Sequence, residues 1–281
     1  MSTSRSLESI GDTDPDWLAP PLPEVSIGNL EVRFGGNTVL KGCSAEFGTG
    51  FHGLIGPNGA GKTTLFNVIG GFVRPHQGEV TVGGVDITTK SPATIAADLH
   101  VARTFQTPRL VPELTVCDNV ALGTVTRTRE GHLQEFLGTR SYRSRVSALG
   151  DRVDELLEAF DLSRWRDERA DELPLGSQKL VEVARCIVAE PSVMLLDEVG
   201  AGLSAKDQDT LIAGLASLIE TGDTCVLFIE HNVHLVLDLC PTVAVLHLGE
   251  IIFHDDRARL VENPDVIKAY LGGTFRYGGT A

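Results

Sequence analysis

Gly56-Pro57-Asn58-Gly59-Ala60-Gly61-Lys62-Thr63-Thr64 fits the pattern G-x-x-x-x-G-K-[ST] in setting as well as in letters. The apolar run Phe51 to Ile55 precedes it, and a helix-like Thr64-Leu65-Phe66-Asn67-Val68-Ile69 follows. Between a strand and a helix, such glycines let backbone N–H groups curl around an anionic phosphate chain. Lys62 is then placed to reach the β- and γ-phosphates, and the Thr63 hydroxyl to bind Mg²⁺. The helix opening here points its positive end at the same phosphates. The nine residues predict a nucleoside triphosphate site; a Gly-rich turn with a chance lysine would not need the flanking strand and helix.

Downstream, Val193-Met194-Leu195-Leu196-Asp197-Glu198 reads as an apolar strand ending in two carboxylates. Asp197 is placed to hold Mg²⁺ and Glu198 to polarise a water that attacks the γ-phosphate, a general-base role that adds about 10²–10⁴-fold. The alternative is a strand that merely reaches the surface with acids. Cys225–Ile229 is a second such strand, with His231 just after it, at the end where ligands bind in open α/β sheets. A lone histidine is usually structural, and His234 and His247 are read that way.

Around these motifs the pattern is that of one α/β unit. Val25, Ile27, Leu30, Val32 and Phe34, then Val39–Phe47, suggest opening antiparallel strands. Glu79–Val82, Gly83-Gly84 and Val85–Ile87 read as a hairpin around a glycine turn. Val193–Leu196, Cys225–Ile229 and Val243–Leu246 are short apolar runs of the kind a parallel sheet buries on both faces. Leu180, Val183, Ala184, Ile187 and Val188 make one helical face, and Asn263-Pro264-Asp265 looks like a cap opening a last helix. Residues 107–172 are charged and helix-rich, with no run resembling a buried strand. The fold expected is therefore α/β: a P-loop NTPase (RecA-like) core over 25–106 and 173–273, with an antiparallel β subdomain and an inserted helical subdomain over 107–172.

Composition narrows the function. The net charge of −14 in 281 residues lacks the basic face that general nucleic-acid binding needs. Residues 1–24, with four prolines and five acids against Arg5, read as a mobile tail, a peripheral docking arm being the alternative; 274–281 form a C-terminal tail. The tail has no secretory pattern, and no stretch reaches the roughly 18 uninterrupted apolar residues of a membrane span. The five scattered cysteines read as buried thiols in a reducing cytosol. Five arginines between Arg127 and Arg145 read as a solvated charged face, with docking under anionic headgroups or a permease as the alternative.

The ordered series resembles the ATP-binding subunit of an ABC transporter, over roughly residues 25–273. Phe34, in Arg33-Phe34-Gly35-Gly36, matches the aromatic that stacks on adenine in that family; a core aromatic is the alternative. Arg103-Thr104-Phe105-Gln106 matches the Q-loop, whose glutamine contacts Mg²⁺ and the attacking water and signals to the membrane subunit. Leu173-Pro174-Leu175-Gly176-Ser177-Gln178 occupies the signature position, Ala201-Gly202-Leu203-Ser204 the D-loop, and His231 the switch histidine. The resemblance implies ATP and Mg²⁺ as cofactors: Glu198, His231 and Gln106 are catalytic, and Thr63, Gln106 and Asp197 serve the metal. Phe34, Gly56–Thr64 and, through the signature, Gly176 and Ser177 bind nucleotide.

Arg103–Gln106, the D-loop ending Gly202-Leu203-Ser204, and Asn263–Gly272 are similar to the branched-chain amino-acid importer ATPases. That similarity implies a peripheral subunit on the cytoplasmic face of the membrane, working with permease subunits, a second ATPase and, indirectly, a solute-binding protein. A lipid or lipopolysaccharide exporter ATPase is the alternative, with a non-transport ABC protein and a soluble P-loop kinase as further rivals. The signature departs from the family's Leu-Ser-Gly-Gly-Gln. Pro174 stands at the serine, Leu175 at the first glycine and Ser177 at the glutamine, while Gly176 is kept. Losing a charge-assisted hydrogen bond of this kind costs about 1.5–3 kcal/mol. A heterodimer is expected on that ground, with a homodimer tolerating a varied signature as the other option.

Overall fold

The computed structural model describes residues 24–127, 140–221 and 223–271. The two tails, Glu24 apart, and the side chains of the arginine-rich stretch lie outside the described residues. Two sheets form the frame. Four antiparallel strands run in the order β2-β1-β4-β5, where β1 is Val25–Phe34, β2 Asn37–Phe47, β4 Gln77–Val82 and β5 Val85–Asp86. Six strands run in the order β10-β9-β3-β8-β7-β6, built from β3 (Gly50–Ile55), β6 (Val101–Arg103), β7 (Val193–Asp197), β8 (Cys225–Ile229), β9 (Thr242–His247) and β10 (Glu250–Asp256). All neighbours in this sheet are parallel except β9 and β10.

The alternation in β1 changes phase midway, and the structure gives the reason. Val25 and Ile27 face the core, then Leu30 and Val32 do. A bulge between Ile27 and Leu30, with Asn29 at φ 48°, inserts the residue that would otherwise turn Leu30 outward. On the opposite strand a Cβ at Gly78 would lie 2.4 Å from the carbonyls of Gly28 and Asn29, so only glycine fits against the bulge.

The apolar runs are buried on both faces. Met194, Leu196, Val226, Phe228, Val243 and Val245 pack into a core with the helices. Val193, Leu195, Cys225, Leu227, Ala244 and Leu246 pack on the other side, against β1, β2 and α1 (Lys62–Ile69). Strands that alternate between two cores must be apolar throughout, which is why they read as unbroken runs.

Among the described residues, 107–172 contain helices and one isolated bridge, Thr115 to Arg169, but no strand. The helices α3 (Val116–Ala121) and α4 (Arg140–Ala159) pack on α5 (Leu175–Val188) through Val116, Val120, Val153, Leu156, Leu157 and Phe160. On α6 (Ala205–Thr221), Gly214 accommodates the Phe160 ring, which a Cβ would approach to 2.4 Å. α2 (Pro92–Asp98) is capped by Ser91, α7 (Val233–Leu239) by Asn232, and α8 (Pro264–Leu271) by Asn263, whose Oδ1 accepts from the amides of Asp265 and Val266. Among the described residues the five cysteines are free thiols and four of them are buried.

Gly249, in the turn between β9 and β10, joins three pieces. Its carbonyl accepts from Lys41 N and Cys43 Sγ of β2, each at 2.8 Å, and its N–H donates to Ala60 O at 3.1 Å. Its φ is 91°, and a Cβ would stand 2.4 Å from Val39 O.

Candidate nucleotide site

β3 stops at Ile55 and α1 begins at Lys62, so the glycine-rich loop bridges a strand and a helix. Two of its glycines have no room for a side chain. A Cβ on Gly56 would lie 2.1 Å from Leu246 O; one on Gly61, at φ 110°, would lie 2.8 Å from Leu40 Cδ2. The Lys62 ammonium folds back over the loop, donating to Gly56 O at 2.6 Å and Pro57 O at 3.2 Å. Burial pushes its pKa below the ordinary lysine value, while Glu198 and Asp197 pull it back up.

Three adjacent strands deliver the other groups. Ile229 lies opposite Leu54 on one side and Asp197 on the other, and Glu198 N donates to Ile229 O at 2.9 Å. Beyond these ends Glu198 Oε1 and His231 Nε2 stand 2.8 Å apart. Glu198 holds φ 53°, a left-handed conformation that costs a non-glycine residue about 1–3 kcal/mol. An open cleft of about 600 Å³ is lined by Asn58 to Thr64, Gln106, Glu198 and His231, with Asn37 and Val39 at its side.

Asp197 sits behind the cleft, buried against Arg103. Arg103 Nη2 donates to Asp197 Oδ2 at 3.0 Å and Nη1 to Asn67 Oδ1 at 2.8 Å; the two charged side chains are 8% and 2% exposed. The guanidinium also lies 5.3 Å from the Phe105 ring and 5.5 Å from Phe72. Burial raises the Asp197 carboxyl above its ordinary range, with the Arg103 bond opposing it. Asp197 Oδ1 is buried with no hydrogen-bond partner. That oxygen, the Thr63 hydroxyl and the Gln106 amide oxygen are each of the hard-oxygen type that would suit Mg²⁺, the last two in the cleft and the first behind it.

The structure thus gathers Lys62, Thr63, Gln106, Glu198 and His231 around one cleft, with Asp197 behind it. It does not bring Phe34, Gly176 or Ser177 there. Phe34 ends β1 with 52% of its surface exposed, so it is no core aromatic in this chain. Gly176 and Ser177 open α5, whose N-cap Pro174 offers no side-chain bond to the first turn.

Sequence reading missed the groups that hold these residues in place. Glu182 Oε2 accepts from Phe105 N at 3.2 Å and Oε1 from Arg109 N at 2.9 Å, so a carboxylate on α5 grips both flanks of Gln106. Burial raises the Glu182 carboxyl. Lys179 reaches the carbonyls of Glu198 and Ala201, and Glu230 accepts from Gly200 N. Lys179 and Glu182 lie off the helical face made by Leu180, Val183, Ala184, Ile187 and Val188, so spacing gave no signal that they are buried.

A family model described as ABC transporter matches residues 41–201. The chain is 35% identical, over 251 residues, to the high-affinity branched-chain amino acid transport ATP-binding protein LivG of Escherichia coli K12, covering 89% of this chain and 98% of that one. It is 29% identical to the ribose import ATP-binding protein RbsA of Rhodococcus jostii, over 91% of this chain and 48% of that protein. Among solved structures, the ADP conformation of MJ1267, an ATP-binding cassette of an ABC transporter, superposes with a TM-score of 0.73 at 29% identity, covering 90% of this chain and all of that one. With the phosphate loop, paired carboxylates and histidine on the strand ends, this likeness is decisive: the chain belongs to the ABC transporter family and is an ATP-binding, ATP-hydrolysing subunit.

Proposed function

We propose that this chain powers an importer for branched-chain or related amino acids, from the cytoplasmic side of a membrane permease. The observation that carries the reading is the full-length likeness to LivG, whose 98% coverage leaves almost none of that protein unmatched. Among the described residues no helix is long and apolar enough to cross a membrane, so a permease would have to supply the path. The ribose relative supports import more broadly than one solute class.

In this reading Lys62 exchanges the Gly56 and Pro57 carbonyls for the β- and γ-phosphates when ATP enters. Thr63, Gln106 and Asp197 would hold Mg²⁺, which supplies charge to the phosphate oxygens. Glu198 orients the attacking water, and His231 holds the Glu198 carboxylate through Nε2. Phe34 stacks on adenine.

Gly176 and Ser177 stand outside the cleft, so they complete a second nucleotide site across a dimer. The amides of the first α5 turn, uncapped by any side chain, are the donors available there. Because Pro174 replaces a donor, we infer a heterodimer in which this chain's signature serves the slower site. The two-part core, 25–106 with 173–273, and the helical subdomain 107–172 would move against each other, with the Gln106 loop as the joint.

Reconstituting the chain with the permease and second ATPase that co-purify from detergent-solubilised membranes tests the whole reading. ATP-dependent uptake of leucine or a related amino acid is the expected result. Uptake of a sugar alone would overturn the solute class, and outward lipid movement would overturn import. In the same complex, Glu198→Gln in this chain alone should abolish most single-turnover hydrolysis; a small decrease would put the main site elsewhere.

A further inference from the structure

Glu198 stands in a left-handed conformation just past the end of β7, and something must hold it there. Two buried charges of opposite sign grip the turn that follows. Lys179 Nζ, on α5, donates to Ala201 O at 2.6 Å and to Glu198 O at 3.2 Å. From the other side Glu230 Oε1 accepts from Gly200 N at 2.5 Å. Gly200 has no space to yield: a Cβ there would lie 2.6 Å from Leu235 Cδ2 and 3.0 Å from Glu230 Oε1. Lys179 is 7% exposed and forms no ion pair among the described residues; both of its partners are carbonyls. The Lys179 ammonium is bonded to two carbonyls and lies within electrostatic reach of the buried Glu230 carboxylate, so both sides of the turn are held by charge.

We propose that Lys179 is a positioning residue for hydrolysis. It fastens the first turns of α5, which carry Gly176 and Ser177, to the backbone of Glu198, so the setting of the Glu198 carboxylate depends on where that helix lies. One consequence is directional. A displacement of α5 reaches Glu198 through one side chain, without passing through the Gln106 loop.

The inference rests on the role given to Glu198 under the proposed function, and the test separates the two. In the reconstituted complex, with the substitutions in this chain alone, ATP turnover is compared for Lys179→Met, Lys179→Arg, Glu198→Gln and the Lys179→Met/Glu198→Gln double variant, with trinitrophenyl-ATP binding measured alongside. Lys179→Met is expected to lower kcat about tenfold or more, since misplacing a reacting group by about 1 Å costs up to about 100-fold. Its ATP affinity should stay within about twofold of the wild type. Lys179→Arg should retain most of the rate. The double variant should be no slower than Glu198→Gln, because Lys179 acts through that carboxylate.

An unchanged kcat in Lys179→Met, or a double variant slowed by the product of the two single effects, overturns the proposal. If Lys179→Met does not fold, Gly200→Ala strains the same turn from the Glu230 side. It should show the same loss of kcat and the same lack of further effect on Glu198→Gln, and an unchanged kcat again overturns the idea. Wild-type turnover in Glu198→Gln would instead overturn the role assigned to Glu198.

Discussion

Glu198 Oε1 and His231 Nε2 meet at 2.8 Å across the ends of β7 and β8, two strands held in register by a parallel ladder. The carboxylate is therefore oriented from in front by an imidazole and from behind by its own backbone.

Replacing Glu198 by Gln keeps shape and removes the base. Turnover should fall by about 10²–10⁴-fold while ATP affinity is retained. His231→Ala leaves the carboxylate in place but frees its rotation, so a smaller loss, about 10- to 100-fold, is expected. Steady-state hydrolysis with equilibrium nucleotide binding checks both, and loss of binding rather than rate would contradict the assignment.

Arg103→Met should destabilise the nucleotide-free protein by about 3–5 kcal/mol, because it strands the buried Asp197 charge. Adding Asp197→Asn removes that charge and should recover much of the loss. Urea denaturation of the two single variants and the double variant measures this. Additive losses would mean that the pair does not interact.

Gly61→Ala places a Cβ 2.8 Å from Leu40 at a φ of 110°. Strain of this kind is worth about 1–3 kcal/mol, and the loop must shift to relieve it. Weaker ATP binding with a lower melting temperature is expected. Unchanged affinity would show that the loop relaxes freely.

A pH effect follows from His52. Its ring is buried beside Phe47, Nε2 bonds Gly48 O at 3.0 Å, and Nδ1 has no partner. Burial lowers its pKa below 6.5, with the Gly48 bond opposing, and the His254 charge across Phe47 lowers it further. A histidine depressed in the fold is protonated more readily in the unfolded chain. Its stabilising contribution is therefore complete above the unfolded value and lost as pH falls through the folded one. Taking the protein from about pH 7.5 to about pH 5.5 should lower the wild-type urea midpoint more than that of His52→Gln. Parallel declines would remove His52 as the cause. Glu182 and Glu230, raised by burial, act in the opposite sense from pH 4.5 upward, so the comparison with the variant is what isolates the histidine.

Much of the site was legible because its chemistry sits in short runs. Gly56–Thr64 and Asp197-Glu198 each follow an apolar strand, and the strand is what aims them. The supports were not legible, since each is a long-range pair. Arg103 meets Asp197 across 94 positions, and Gly200 meets Glu230 across 30. No period or spacing in a sequence announces such partners. The bulge in β1 was hidden for a related reason, because buried positions at 25, 27, 30 and 32 read as strand whether or not the phase shifts. Phe34 lies between these cases: its place at the end of β1 could be read, but its distance from the phosphate loop depends on how two sheets pack.

Gly249 ties β2, the phosphate loop and the β9–β10 turn at a single residue. Mechanically it is a rivet. The loop that would take the phosphates and the sheet that ends in Phe34 cannot slide past one another without tearing three bonds at one point. Both ends of a nucleotide would then be held by one stiff body, and any stroke the molecule makes has to be taken up farther along the chain, where helices meet helices.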